Sequence, residues 1–266
     1  MHFEQLLAMA TELGKDKTKV MQFTENWCQG RTAFGGLSAA LLYQAIRQHI
    51  DSSRRLLSLS TNFVGPLIAD NDFSIDVEVL REGKNSAQVL AKVIQNGDVC
   101  VITQACFGAE RQSSVQVDVT KTMQLKPVDE RFTLPYKKGV MPAFFQHVAL
   151  CLQDGNMPFS GADTSHLGGW MKFKHVPEQM TEAHIIALTD AWPPTLLQMY
   201  KQPAPASSMS WYIEFVEEPA IAHDAWIGYE AVTHHSKDGY GLEDGCIWSE
   251  SGKLIALSRQ TVALFA

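Results

Sequence analysis

Residues 72–108 read DFSIDVEVLREGKNSAQVLAKVIQNGDVCVITQACFG, and this stretch decides the fold class. Phe73, Ile75, Val77 and Val79 alternate with Ser74, Asp76 and Glu78, the period-two pattern of a strand with one buried face. Glu82-Gly83-Lys84 and Asn96-Gly97-Asp98 carry turn chemistry between two further β-rich runs. Three strands joined by tight turns make an antiparallel meander. Upstream, LLSLSTNFVGPL (residues 56–67) adds a fourth strand. Before it, FGGLSAALLYQAIRQHI (residues 34–50) is the strongest helix of the chain. Its Leu37, Leu41, Leu42, Ala45 and Ile46 share one face, and Gly35-Gly36 open it. Residues 4–12 read as a short amphipathic helix and residues 19–30 (KVMQFTENWCQG) as a strand.

The plan repeats. Residues 141–155 and 165–176 read as strands. TEAHIIALTDAWPPTLLQMY (residues 181–200) is helical, with Thr181 as N-cap, a break at Pro193 and a new start at Pro194. Strands are expected at 207–216, 225–235, 239–250 and 253–265. NFVGPLIADND (62–72) and EFVEEPAIAHD (214–224) are the clearest internal echo. A repeat of roughly 150 residues is a duplicated unit and not a solenoid. The expected organisation is an N-terminal domain over residues 1–110, a polar linker over 111–139 and a C-terminal domain over 140–266. A long helix packed across a curved antiparallel sheet, made twice, is an α+β double hot-dog fold, in which the two sheets can join edge to edge.

The 266 residues carry a formal charge of −7, which argues against nonspecific binding to nucleic acid or anionic membrane. No apolar run nears the ~20 residues of a membrane span. Cys28, Cys100, Cys106, Cys151 and Cys246 lack CxxC spacing and read as reduced core residues. The start MHFEQLLAMATELG has no basic n-region, so the expected location is the cytoplasm.

GRTAFGGLSAALL (residues 30–42), then NFVGPL (62–67) and IDVEVLREGKNSAQVL (75–90) resemble the type II acyl-CoA thioesterases, a TesB-like family of double hot-dog proteins. The resemblance runs from about Phe23 to the end of the chain. It implies an acyl-CoA hydrolase of fatty acid metabolism that uses no metal or cofactor and assembles as a homo-oligomer. It also implies three site residues: an aspartate on the second-half helix (Asp190), a hydroxyl residue opening the next strand (Ser208) and a glutamine on the last strand (Gln260). The family usually has threonine at the hydroxyl position, and Ser207 and Ser210 stand close enough to compete for it. Gln104 lies near the first-half equivalent of Gln260 but one position off, on the other strand face.

Thioester hydrolysis needs an activated water and stabilisation of an oxyanion. A carboxylate can take the water's proton. By the resemblance Asp190 is that base, with Ser208 and Gln260 orienting the water. Taken alone, Asp190 in HIIALTDAWPPT (184–195) fits two roles: a solvated acid capping the piece after Pro193, or an acid in an apolar seam with a raised pKa. Gly35 and Gly36, at a helix N-terminus, could offer N–H groups to the oxyanion, or could simply permit close packing. Trp27, Phe34, Trp192 and Trp211 are candidates for an acyl pocket, with plain core as the alternative. Arg31, Lys84, Arg54, Arg55 and Arg259 are candidates for the phosphates of coenzyme A.

Three other motifs carry little. GGLSAA (35–40) lacks the last glycine and the βαβ setting of a nucleophile elbow, so Ser38 is set aside. His234-His235 point to opposite strand faces. GYGLEDG (239–245) misspaces the dinucleotide fingerprint. Two rival functions stay open. An acyl-CoA-binding module with weakened catalysis is kept open by the serine at position 208. An enoyl-CoA hydratase is disfavoured because DGNMPFSGAD (154–163) has no histidine at the required place.

Overall fold

The computed structural model describes residues 1–217 and 220–265. In chain order the elements are α1 (Phe3–Lys15), β1 (Cys28–Gln29), β2 (Thr32–Ala33), α2 (Gly35–Arg47), β3 (Arg55–Phe63), β4 (Phe73–Glu82), β5 (Ser86–Gln95) and β6 (Asp98–Gly108). There follow β7 (Val148–Asp154), β8 (Leu167–Phe173), α3 (Glu182–Thr189), β9 (Ala206–Phe215), β10 (Ile227–Lys237), β11 (Tyr240–Ser249) and β12 (Leu254–Leu264). Among the described residues, no helix is long and apolar enough to cross a membrane.

The hairpin turns join β4, β5 and β6 as the glycines required, and one ten-stranded antiparallel sheet runs in the order β4-β5-β6-β3-β9-β12-β11-β10-β8-β7. The two halves meet where β3 pairs with β9, with Thr61 opposite Trp211 and Leu59 opposite Ile213. Around that seam the orders β4-β5-β6-β3 and β9-β12-β11-β10 are related by an approximate twofold. β8 and β7 extend only the second half. In the first half Met21, which bridges Phe73 of β4, occupies the place of β8. This is the double hot-dog fold. The described part of the second echo retains Phe215 and Val216, whereas its Pro219 lies outside the described residues.

Helix α2 is the axis of the core. Leu37, Ala39, Ala40, Leu41, Leu42, Ala45 and Ile46 are fully buried, because α2 is covered by the sheet on one side and by α1 and α3 on the others. At about 25 cal/mol per Å² of apolar surface this burial dominates the folding energy.

Three expectations need correction. Residues 19–30 do not form a strand. After the Met21 bridge the chain makes a 3-10 turn at Glu25–Trp27 and the small hairpin β1–β2, because Trp27 leaves the strand direction to stack on His147, 3.9 Å between ring centres. Residues 141–147 are not strand either. Pro142 has no N–H to give to a ladder and opens a 3-10 turn at Ala143–Gln146. Helix α2 ends at Arg47, whose guanidinium donates to the carbonyls of Ile50 and Asp51. Within the polar segment 111–139, Met123, Leu125 and Val128 cover Trp170 and Trp226 on the outer face of the sheet, and Trp170 donates its indole N–H to Lys126 O at 3.0 Å.

Candidate active site

The second-half helix is short because its sequence stops it. Thr181 is its N-cap, in a capping box with His184. At the other end Asp190 leaves helical geometry (φ −93°, ψ 7°), Ala191 N–H still bonds Leu188 O at 2.8 Å, and Pro193-Pro194 forbid continuation. Asp190 is thereby set on the C-terminal end of α3, in contact with the N-terminus of α2.

That contact depends on the two glycines. A Cβ on Gly36 would lie 2.5 Å from Ala187 O, and a Cβ on Gly35 would lie 2.7 Å from Asp190 Oδ2. Without side chains the helices close up, and Gly36 N–H donates to Asp190 Oδ2 at 2.7 Å. The N-terminal end of α2 carries positive dipole charge, a natural place for a carboxylate. The other oxygen, Oδ1, accepts from Gln260 Nε2 at 3.0 Å. Gln260 Oε1 in turn accepts from Ser208 Oγ at 3.1 Å. One connected chain, Ser208–Gln260–Asp190–Gly36, thus draws on β9, β12, α3 and α2.

The register explains why Ser208 and not a neighbour joins it. A bulge lies opposite Thr261 and Val262, which pair with Ser210 and Ser208 and leave Met209 unpaired. Such bulges re-aim side chains beside active sites. Met209 is exposed, and Ser207 Oγ turns back to Ser208 O. Gln104 faces outward, donating to Gln88 at 3.0 Å.

Asp190 is half-buried and lines two adjoining cavities. Removal from water pushes its pKa up to about 7, the donors Gln260 and Gly36 act against that, and the nearby Glu243 carboxylate adds to it. A base poised near neutrality suits proton abstraction. Gly36 was a candidate to serve an oxyanion, but its N–H is given to Asp190. Gly35 is the glycine of the pair that also lines the cavity.

Two cavities meet at this carboxylate. One, of about 460 Å³, is bounded by Thr32, Gly35, Phe63, Pro66, Ser208 and Gln260. The other, of about 570 Å³, is walled by Leu134, Phe144, Phe145, Leu150, Met157 and Phe159. Asp190, Trp192, Pro194 and Ala206 line both. Of the four aromatic candidates only Trp192 faces a cavity. Trp27 is buried against His147 and Phe34 against Phe144, at 4.0 Å. Trp211 donates to Ser258 Oγ at 2.9 Å inside the core. The apolar chamber walls come largely from residues 134–159, of which the sequence marked 141–155 only as a strand.

Among the basic candidates, Arg259 forks onto Asp244 on the outer face and Arg54 pairs with Glu82. Arg55 donates to Val216 O. Lys84 is exposed in the turn between β4 and β5. Arg31 is exposed beside Gly30, at the tip of the β1–β2 hairpin that borders these cavities. Ser38 lines the first cavity, but its hydroxyl donates to Phe34 O within its own helix. His234 pairs with Asp244 on the outer face.

Comparison with solved structures places this architecture among known ones. A hot-dog protein of unknown function from Alicyclobacillus acidocaldarius superposes with a TM-score of 0.80 at 22% identity, covering 95% of this chain and 98% of its own. A TesB protein from Mycobacterium avium subsp. paratuberculosis gives 0.77 at 15% identity, with 99% and 100% covered. An acyl-CoA thioesterase II from Mycobacterium marinum gives 0.71 at 16% identity, with 100% and 98% covered. No curated protein matches the chain. The acyl-CoA thioesterase N-terminal domain model matches residues 23–108 and the C-terminal domain model matches residues 122–264. These matches take in both halves of the sheet and all four members of the hydrogen-bonded chain, and the protein belongs to the acyl-CoA thioesterase family.

Proposed function

We propose that this protein hydrolyses acyl-CoA to the free acid and coenzyme A by direct attack of water, with Asp190 as general base. The observation that carries this reading is the junction at Asp190. A carboxylate fixed through both oxygens lies where a cavity of mixed lining meets a more apolar one. The acyl chain occupies the apolar chamber and the pantetheine arm the mixed cavity, which brings the thioester carbonyl to the carboxylate. A water held by Asp190 and Ser208 loses its proton to Asp190 as its oxygen attacks. The oxyanion meets Gly35 N–H and the dipole of α2. Collapse of the tetrahedral species expels the thiolate, which receives the proton from Asp190.

The volume of the chamber lies within the ~300–1,000 Å³ usual for small-molecule sites, and its apolar walls favour an unsubstituted hydrocarbon chain. Arg31 and Lys138 share a separate cavity beside the β1–β2 hairpin, and on this reading they are assigned to the coenzyme A phosphates. The reading includes a cytoplasmic setting, consistent with five free cysteines, and self-association through open sheet edges such as β4, where Val79 and Leu80 are exposed.

The test is thiol release from acetyl-, hexanoyl-, lauroyl-, palmitoyl- and benzoyl-CoA by the wild type and by Asp190→Asn. Free thiol from the wild type with hydrocarbon chains, lost in the variant, supports the reading. Binding without release at every chain length would make the protein an acyl-CoA-binding module. Hydration of crotonyl-CoA without thiol release would make it a hydratase.

A further inference from the structure

Behind the proposed base lies a second buried acid that the hydrolytic steps do not use. Glu243 of β11 is 4% exposed and stands opposite Gln260 in the β11–β12 register. Its Oε2 accepts from Thr195 N–H at 2.7 Å and from Thr195 Oγ at 2.8 Å, and its Oε1 accepts from Tyr229 OH at 3.0 Å. Thr195 Oγ also meets Thr233 Oγ at 2.8 Å. Thr195 is the first residue after Pro193-Pro194, so Glu243 grips the far end of the turn that begins at Asp190. The middle of the turn is held from the same side, because Trp192 stacks on Tyr229 with ring centres 6.4 Å apart.

A buried carboxylate is a costly way to anchor a turn. An apolar residue would avoid the desolvation, and an uncharged amide would keep the two Thr195 bonds, with its N–H turned toward Tyr229 Oη. We infer that Glu243 is a positioning residue for Asp190: it fixes the Asp190–Thr195 turn through Thr195 and sets a second negative charge beside the base, on the sheet row that holds Gln260. This inference rests on Asp190 being the base.

The groups facing the pair are few. Glu243 meets Tyr229 from β10 and Thr195 from the turn, and its charge reaches Asp190 at the end of α3 while that of the adjoining Asp244 reaches Glu243. Its neighbour Asp244 points to the outer face, onto Arg259 and His234. Glu243 is the charged group that acts on Asp190, and Asp190 in turn raises Tyr229. Burial also pushes the Glu243 carboxyl above the usual range, against the three donors. Protonation of one acid is thus expected to be felt by the other.

Glu243→Gln separates anchoring from charge, since the amide oxygen still accepts from Thr195. With the negative charge gone, ionised Asp190 is favoured, and the acid limb of kcat/KM moves to lower pH by about half a unit or more. A limb that stays in place or moves upward overturns the inference, whatever happens to the absolute rate. A purely structural role would lower kcat and Tm without moving the limb. The pair can also be read without turnover. By reciprocity, Asp190→Asn lowers the pH at which the protonated-carboxyl infrared band of Glu243 disappears, and an unchanged titration overturns the inference even if Glu243→Gln does not fold. If Asp190→Asn retains full activity, the hydrolytic reading itself fails, and the infrared titration still reports whether the two acids are coupled.

Discussion

The two halves of this sheet are built alike and filled differently. Counting four residues back from Phe63 and from Phe215 gives Leu59 and Trp211. From Leu59 the paired row runs through Ala105 and Val89 to Val79. From Trp211 it runs through Gln260 and Glu243 to Thr233. Leu59, Ala105 and Val89 are fully buried and apolar. The matching positions of the second half hold an amide and a carboxylate that are nearly as buried. One copy of the unit thus keeps the row as core, and the other uses it to support Asp190. Burying polar groups costs stability unless each is hydrogen-bonded, and here each has partners. A functional site departs from the patterning that the rest of the fold obeys.

The largest expected effect comes from removing the group that the polar row serves. Asp190→Asn keeps the size and one acceptor and loses the base, so kcat falls by about 10²–10⁴-fold in the thiol-release assay. Stability moves the other way. The folded pKa of Asp190, about 7, lies above its ordinary value of 3.8, so between those values the folded state holds a proton that the unfolded state has released. Wild-type stability accordingly falls as pH rises from about 4 to 7 and is flat beyond. The variant lacks this slope, and denaturation at pH 8 should find it more stable than the wild type. Equal stability at both ends of that window would contradict a carboxyl whose folded pKa is raised.

Next come exchanges between the rows. Gln260→Ala gives the second half the residue found in the first, at Ala105. Asp190 loses a donor that lowers its pKa, so the acid limb moves upward, and kcat falls by about 10–100-fold. The reverse exchange, Ala105→Gln, puts an amide where the neighbours are Val89 and Leu59. With no partner and no room, it should cost about 2–4 kcal/mol in chemical denaturation and leave the acid limb untouched. If both exchanges were mild, the distinction between the rows would be ornamental.

The fold was legible because its signals are local. The alternation of residues 73–79, the turn glycines Gly83 and Gly97, and the single apolar face of α2 each follow from sequence spacing. The expected breaks at Pro193 and Pro194 also appear. Asp190, Ser208 and Gln260 were named through resemblance. Their meeting was not legible, since Asp190 and Gly36 are 154 residues apart and joined by one bond. Trp27, Phe34 and Trp211 were open between pocket and core and are core, while the chamber is walled by residues 134–159, where only Leu150 and Leu152 lie on a strand and the rest come from a 3-10 turn and loops that carry no period. Glu243 was missed because GYGLEDG, inside the expected strand 239–250, was weighed only for its glycines. Its signal was present all the same: Glu243 and Asp244 are adjacent in a strand, so one of the two acids must face inward.

The smallest expected effect concerns Ser208, the outermost member of the hydrogen-bonded chain and the one that departs from the threonine usual in the resembling family. Ser208 touches Gln260 and not Asp190, so its contribution reaches the base through the amide. Ser208→Ala frees Gln260 Oε1, lets the amide rotate and should lower kcat about 3–10-fold with little change in Tm. Ser208→Thr keeps the hydroxyl and restricts its rotamer. Because the bulge at Met209 already aims this position inward, the added methyl has space toward the cavity, and activity should stay within about 2-fold of the wild type or rise slightly. A loss in Ser208→Thr as large as that in Ser208→Ala would mean that the oxygen is placed by the serine's freedom to rotate. The hydroxyl would then be following the substrate and not pre-set by the strand.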